Sequence, residues 1–241
     1  MRLLMTRPRA ASEDFVAALD PWTRARVEVI HAPLLEIRAL PVGIDTTGVR
    51  GLIFTSPNGV AAAAQALSDR DLPCHCVGPA TTEAARAAGW RAHMAGGTAE
   101  ELIADLSQQR PDAPLLHLRG EHARVDVAVR LSRAGLPARS QAVYAQTLLP
   151  LAPEAQRVLQ SDVPVAAPLF SPRTARQFAD QAAVGAPLWL AAISDATAEP
   201  LVPLAARHLL VAERPDGPAM GRAVEKLVKL ALRVEGEQVA H

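Results

Sequence analysis

The sequence predicts an α/β protein built from two similar parallel-sheet units, and three observations carry that expectation. Short apolar runs alternate with Ala-rich, helix-like runs along the chain at the spacing of strand–helix units. The stretch Phe54-Thr55-Ser56-Pro57-Asn58-Gly59-Val60 has an echo in Phe170-Ser171-Pro172-Arg173-Thr174, each after an apolar run and each leading into a helix-like run. The segments downstream of the two copies also match: Val77-Gly78-Pro79-Ala80-Thr81 with Ile193-Ser194-Asp195-Ala196-Thr197. Upstream, Leu3 to Arg7 matches Leu115 to Arg119. Ser56 to Thr81 spans 25 positions and Ser171 to Thr197 spans 26. Offsets of 112 to 116 positions are too long for a solenoid and suit two α/β units. Taken alone, the repeat puts a boundary near residue 112. The sheets are expected to be parallel, with right-handed crossovers.

Each element has a local reason. Arg2 to Met5 reads as a short buried strand, Thr6-Arg7-Pro8 as a turn, and Ser12 as the cap of a helix running to Leu19. Arg26 to His31 alternates as a strand, and Pro33 to Pro41 reads as an extended, Pro-bounded linker. Gly51 to Thr55 is a strand and Asn58 to Leu67 a helix; Ser56 accepts a hydrogen bond from a free N–H, and Pro57 has none to satisfy. Cys74 to Val77 is a strand, and Ala80 to Ala88 a helix closed by Gly89. After a short strand over Arg91 to Met94, Thr98 with Glu101 forms a capping box for the next helix.

In the second half, Pro114 to Leu118 is a strand, Arg119-Gly120 a turn, Asp126 to Ala134 a helix and Ala138 to Gln146 a strand. Leu148 to Pro153 is a second linker candidate, and a helix is expected over Glu154 to Gln160. Strands are expected over Val165 to Phe170, Leu188 to Ile193 and Leu209 to Ala212. The matching helices are Thr174 to Ala182, Ala196 to Ala205 and Ala219 to Val234, with a frayed polar tail from Glu235 to His241.

Composition bounds the function. Of 241 residues, 49% are hydrophobic and 21% charged, as in an ordinary globular protein. A formal net charge of zero argues against a nucleic-acid footprint and against a polybasic membrane surface. No stretch approaches a membrane span, and the three apolar residues before Thr6 are too few for a signal peptide, so a cytoplasmic location is expected. Cys74 and Cys76 share a strand face and read as small buried hydrophobes, with neither disulfide framework nor zinc spacing. Dinucleotide and P-loop glycine motifs are missing, which places a nucleotide-dependent transferase well behind other readings. The seven histidines lack metal-ligand spacing, and no Gly-x-Ser-x-Gly elbow surrounds a serine.

What remains is a set of polar groups at strand ends. A helix that begins at the carboxyl end of a strand aims bare N–H groups at the crevice where open α/β sheets bind ligands. Ser56 and Ser171 have no partner base, so they are caps and hydroxyl donors rather than nucleophiles. Thr81 and Thr197 are either caps alone or caps that also offer a hydroxyl to a ligand. Arg7 and Arg119 follow equivalent strands, as carboxylate partners or as solvated turn arginines. Arg173 and Arg176 open a helix against its dipole, which a nearby anion relieves. Tyr144, the only tyrosine, is either a half-buried strand residue or a phenol in a cleft between the units. With a pKa near 10 such a phenol stays protonated and can donate to a leaving oxygen.

In order and spacing, these residues resemble the uroporphyrinogen-III synthase family. The resemblance runs through Leu52 to Val60, Val77 to Thr81, Leu118-Arg119-Gly120, Val143-Tyr144, Phe170-Ser171-Pro172 and Ile193 to Thr197. Ser194 departs from it, since the family often has Gly there and the turn is expected to change. The resemblance implies two flavodoxin-like parallel-sheet domains joined by a two-stranded linker, the chain crossing between domains twice. One domain would take residues 1–34 and 149–241 and the other 37–146, with linkers near 33–36 and 146–150. It implies a reaction without metal or organic cofactor. Linear hydroxymethylbilane loses water from its ring A hydroxymethyl group, and the resulting azafulvene is attacked by ring D. A spiro intermediate then opens and recloses with ring D inverted, giving uroporphyrinogen III. Tyr144 would assist departure of the hydroxyl, and Thr55, Ser56, Thr81, Ser171 and Thr197 would line the cleft. The expected partners are the tetrapyrrole substrate, with no nucleic acid and no membrane, and, for a monomeric chain, a transient contact with the enzyme that makes the bilane. The rival reading is a non-catalytic module of two lobes that binds a small anion, because fold does not fix function.

Overall fold

A computed structural model describes residues 1–122 and 125–239, with side chains through residue 234. Contacts divide the chain into two compact units, Met1–Glu36 with Leu148–His241, and Ile37–Thr147.

The first unit holds a five-stranded sheet. Its strands are β1 (Arg2–Met5), β2 (Glu28–His31), β9 (Val165–Leu169), β10 (Leu188–Ala192) and β11 (His208–Val211), in the order β11-β10-β9-β1-β2. All its pairings are parallel. Alternate residues feed two cores, because successive side chains in a strand point to opposite faces. Leu3, Met5, Trp189 and Ala191 face helices α1 (Arg9–Ala17) and α10 (Gly217–Val239), which contribute Phe15, Met220, Val224 and Leu227. A single turn of helix, α2 (Pro21–Arg24), is capped by Asp20 and leads toward β2. Leu4, Val165, Leu169 and Leu190 face α7 (Pro153–Leu159) and α8 (Pro172–Gln181), with Leu159 and Phe178 fully buried.

The second unit holds six strands: β3 (Leu35–Ala39), β4 (Gly51–Phe54), β5 (Cys74–Val77), β6 (Ala92–Gly96), β7 (Leu115–Gly120) and β8 (Ala138–Leu148). Their order is β3-β8-β7-β4-β5-β6, and the β4–β5, β4–β7, β5–β6 and β7–β8 pairings are parallel. One face packs Leu52, Phe54, Cys74, Cys76, Leu116 and Leu118 against α3 (Pro57–Ala66) and α4 (Gly78–Ala87). The other packs Ile53 and Leu115 against α5 (Ala99–Gln109) and α6 (Val127–Arg133). Each unit is therefore a three-layer sandwich.

Several elements depart from the sequence expectation. Ser12 does not cap the first helix; α1 starts at Arg9 after Pro8, and Ser12 lies inside it, fully buried, donating to the Arg7 carbonyl at 3.0 Å. The stretch Pro33 to Pro41 is not only a connection, since it contains β3. Arg119-Gly120 is not a turn but the end of β7. The helix expected over Ala196 to Ala205 is broken. A short α9 (Asp195–Ala198) passes into a 3-10 segment, Glu199–Leu204, because Pro200 and Pro203 bring no N–H to an α-helical ladder. Ser194 has φ −160°, extended backbone that any residue adopts, so this position makes no demand for glycine. Helix α10 runs past Val234 to Val239, and the last two residues of the expected tail, 240–241, lie outside the described residues.

Candidate active site

In the second sheet the chain steps outward from β4 to β5 and β6, then returns to the other side of β4 as β7 and β8. The reversal falls between β4 and β7, and an open α/β sheet has its binding crevice at the carboxyl ends of such a pair. A cavity of about 350 Å³ lies there, walled by Thr55 and Ser56 from the end of β4, Arg119 and Gly120 from the end of β7, and Tyr144 from β8. Glu100 in the first turn of α5, and His122, complete its polar lining.

Local chemistry explains why Ser56 sits at the mouth. Its extended backbone precedes Pro57 at the first helical position, and its Oγ accepts from the Asn58 N–H at 3.1 Å. Gly59 is required by close approach: a Cβ there would meet the Leu118 carbonyl oxygen at 2.8 Å. The first turn of α3 therefore lies directly on β7, and the Ser-Pro-Asn-Gly motif combines a cap with a helix–strand contact. On the α5 side, Thr98 accepts from Glu101 N–H at 3.1 Å, while the Glu101 carboxylate takes the Gly97 N–H at 2.7 Å. The capping box is thus displaced by one residue from its usual reciprocal form.

Tyr144 is placed by an irregularity. Along β7 and β8 the partners run Leu115 with Ala138 through Arg119 with Ala142, and then Gly120 with Tyr144. One residue is skipped, a β-bulge. Regular alternation would send Tyr144 to the face of Ser140 and Ala142; the bulge instead sets it beside Val143 in the cluster with Leu116 and Leu118. Gly120 makes the space, since a Cβ there would stand 2.8 Å from the ring Cζ and 3.0 Å from the hydroxyl. The ring is 7% exposed, and its backbone carbonyl accepts from Glu121 N–H at 3.0 Å. A buried tyrosine with its edge on a polar cavity lies between the two alternatives that the sequence leaves open. Its placement opposite a glycine has no signature in the sequence.

Thr55 has a partner that strand patterning does not single out. Its Oγ1 lies 3.1 Å from Nε2 of His117, which is 1% exposed. Burial pushes that imidazole down to about 4, with Arg119 acting in the same direction and Asp126 against it, so the ring is neutral at neutral pH. Arg119 donates to the Gly120 carbonyl at 2.7 Å and the Glu121 carbonyl at 2.9 Å, which pins the loop leaving β7. Glu100 and His122 carry no capping or strand-end signal of their own. The signal for His117 is a polar residue at an inward position of a buried strand.

The remaining expected residues lie at other strand ends. Thr81 is buried in the first turn of α4, and the cavity wall does not include it. In the first unit, the sheet reverses between β1 and β9. Arg7 follows β1, its guanidinium 4.4 Å from the Phe170 ring centre, and lines a cavity of about 490 Å³ with Asp14, Phe15 and Arg222. Burial lowers the pKa of that guanidinium, against the pull of Asp14. Ser171 caps α8, accepting from Thr174 N–H at 3.2 Å and sharing a hydrogen bond with the Thr174 hydroxyl at 2.8 Å. Thr197 is fully buried, 3.1 Å from the Ser194 hydroxyl. Ser-x-x-Thr hydroxyl pairs thus recur after β9 and β10. Cys74 and Cys76 are fully buried, and burial raises both thiols, Cys76 to about 11, so neither is a thiolate at neutral pH. Among the described residues, no group of three or more His, Cys, Asp or Glu could hold a metal ion, and no helix is long and apolar enough to cross a membrane.

Known proteins share both the sequence pattern and the fold. A family model described as uroporphyrinogen-III synthase HemD matches residues 16–221. The crystal structure of uroporphyrinogen-III synthetase from Helicobacter pylori superposes with a TM-score of 0.67 at 17% identity, covering 97% of this chain and 100% of that one. A mutant uroporphyrinogen III synthase from Thermus thermophilus gives 0.50 at 17% identity, over 94% and 99% of the two chains. These likenesses show the shared fold. No curated protein sequence matches the chain.

Proposed function

Because the chain belongs to the uroporphyrinogen-III synthase family, we propose that the β4–β7 switch-point cavity takes part of the tetrapyrrole and that Tyr144 is its catalytic group. The family reaction is the cyclisation of hydroxymethylbilane to uroporphyrinogen III, with loss of water and inversion of ring D, in haem biosynthesis. Loss of water from a hydroxymethyl carbon needs a proton or hydrogen bond delivered to the departing oxygen. On this reading the phenol of Tyr144, which lies on the cavity wall at the bulge opposite Gly120, supplies it. That placement is the observation that carries the reading.

The cavity suits one end of the substrate rather than the whole. Drug-sized ligands fill roughly 300–1,000 Å³, and this space is about 350 Å³. Its polar lining offers a carboxylate arm the Thr55 and Ser56 hydroxyls, the Arg119 cation and the start of α3, while Glu100, the acidic group of the wall, is paired with Arg130 at 3.6 Å. On the same reading Arg7, Ser171, Thr81 and Thr197 serve the substrate from other strand ends. Thr81 and Thr197 are buried, and the Ser171 and Thr197 hydroxyls are engaged with Thr174 and Ser194, which supports backbone N–H groups as the carriers of much of that binding. The two compact units, 1–36 with 148–241 and 37–147, are taken as the two domains expected at 1–34 with 149–241 and at 37–146. The chain is read as a cytoplasmic monomer, a reading supported by exposed large apolar residues, such as Trp22, Met94 and Val202, that form no run along the sequence. A transient contact with the bilane-producing enzyme would shorten the life of the free, unstable substrate.

The test is a coupled assay. Hydroxymethylbilane is generated in situ, the protein added, and the oxidised products separated into I and III isomers. The expected result is a shift to the III isomer. Only the I isomer, at the rate without protein, would contradict the reading and turn attention to tetrapyrrole binding without catalysis.

A further inference from the structure

We propose that His117 is a positioning residue: through Nε2 it holds the Thr55 hydroxyl as a hydrogen-bond donor aimed at a carboxylate in the cavity. The inference rests on reading that cavity as a substrate site. It begins with register. Ile53 of β4 is paired with His117 of β7, and Thr55, two residues beyond Ile53, shares its face of the sheet. His117 therefore lies beneath Thr55, nearly sealed from solvent, with Nε2 3.1 Å from Oγ1. Thr55 itself is half-buried and lines the cavity.

The proton on the ring decides what Thr55 can do. The groups that bear on this imidazole, Arg119 and Asp126, oppose one another, and burial keeps it neutral, so it carries one N–H. Nδ1 has no hydrogen-bond partner among the described residues. If the proton sat on Nδ1, a buried N–H would be orphaned, and the Thr55 O–H would be used up on Nε2. Orphaned buried N–H groups are rarer than under-satisfied acceptors, because the desolvated donor has no compensation. The proton on Nε2 avoids that. The ring then donates to Oγ1, and the Thr55 O–H is left to donate into the cavity. A bound carboxylate, which only accepts, reinforces the same tautomer.

The experiment combines variants with a direct look at the tautomer. T55V and H117F are each expected to raise KM by about three- to tenfold, the loss of one hydrogen bond, with kcat little changed. The T55V/H117F double variant is expected to match T55V, because His117 acts only through Thr55. H117Q, whose amide can donate from nearly the same place, should recover most of the loss. An unchanged KM in H117F beside a raised KM in T55V overturns the positioning role alone. So does an H117F effect that persists in the T55V background. An unchanged KM in T55V removes Thr55 from the substrate site and the proposal with it. Nitrogen-15 NMR of the wild-type imidazoles at pH 7 is independent of whether the variants fold. Protonation of His117 on Nε2 is expected, and protonation on Nδ1 overturns the proposal.

Discussion

Replacing Gly120 with alanine tests whether the seat of the Tyr144 ring matters. The added Cβ would lie 2.8 Å from Cζ, 2.9 Å from Cε2 and 3.0 Å from the hydroxyl oxygen. Carbon atoms in contact sit about 3.5–4.0 Å apart, so the ring must retreat by roughly 0.7–1 Å. Its way is blocked, since Tyr144 packs with Val143, Leu116 and Leu118, all nearly or fully buried. Overpacking of this kind costs about 1–3 kcal/mol of stability. A misplacement near 1 Å of a catalytic group lowers turnover by roughly 10- to 100-fold. The assay is formation of the III isomer at saturating bilane, beside urea unfolding of the same sample. Gly43→Ala is the control, because a Cβ there meets nothing within 4 Å. Wild-type turnover in a folded Gly120→Ala variant would refute the argument that the bulge and the glycine together place the phenol.

Two further predictions concern stability. Ser56→Ala removes the acceptor for the Asn58 N–H and should lower unfolding stability by about 1 kcal/mol, read as a shift in the urea midpoint. His75 and His117 are buried and pushed from the ordinary 6.5 down to about 4. Between those values the unfolded chain takes up protons that the folded chain refuses, so stability falls as pH falls through this window. The expected loss from pH 7 to pH 5 is about 2 kcal/mol for each ring. His75→Gln should flatten the pH dependence of the urea midpoint by its share, and an unchanged slope would contradict the assignment.

Much of the fold can be read from local pattern, because its signals are local. Ser56, Ser171 and Thr98 cap helices as expected, and Gly89 takes φ +96° past the end of α4. Where local signals conflict, pattern alone misleads. The alanines of Ala196 to Ala205 favour a continuous helix, although Pro200 and Pro203 forbid a regular one. Ser12 precedes an apolar run, which favours it as a cap, whereas α1 begins three residues earlier, behind Pro8. The site divides in the same way. Thr55, Ser56, Arg119 and Tyr144 stand out as strand-end or lone polar groups, and the fold gathers them at one cavity. The bulge that aims Tyr144 is a slip between two strands, which neither strand's own alternation records. The His117–Thr55 contact joins residues 62 positions apart and depends on the β4–β7 register. Pairing between distant strands lies beyond what a window of sequence can show.

The central claim, that this cavity carries the cyclisation through Tyr144, is tested most directly by Tyr144→Phe in the isomer-resolved assay. The substitution keeps the ring in its seat opposite Gly120 and removes only the hydroxyl. Turnover to the III isomer should fall without being abolished, because the groups that hold the bilane are left intact, while the urea midpoint changes little. Full activity in a folded Tyr144→Phe protein would remove the phenol from the chemistry and leave the cavity without its catalytic group.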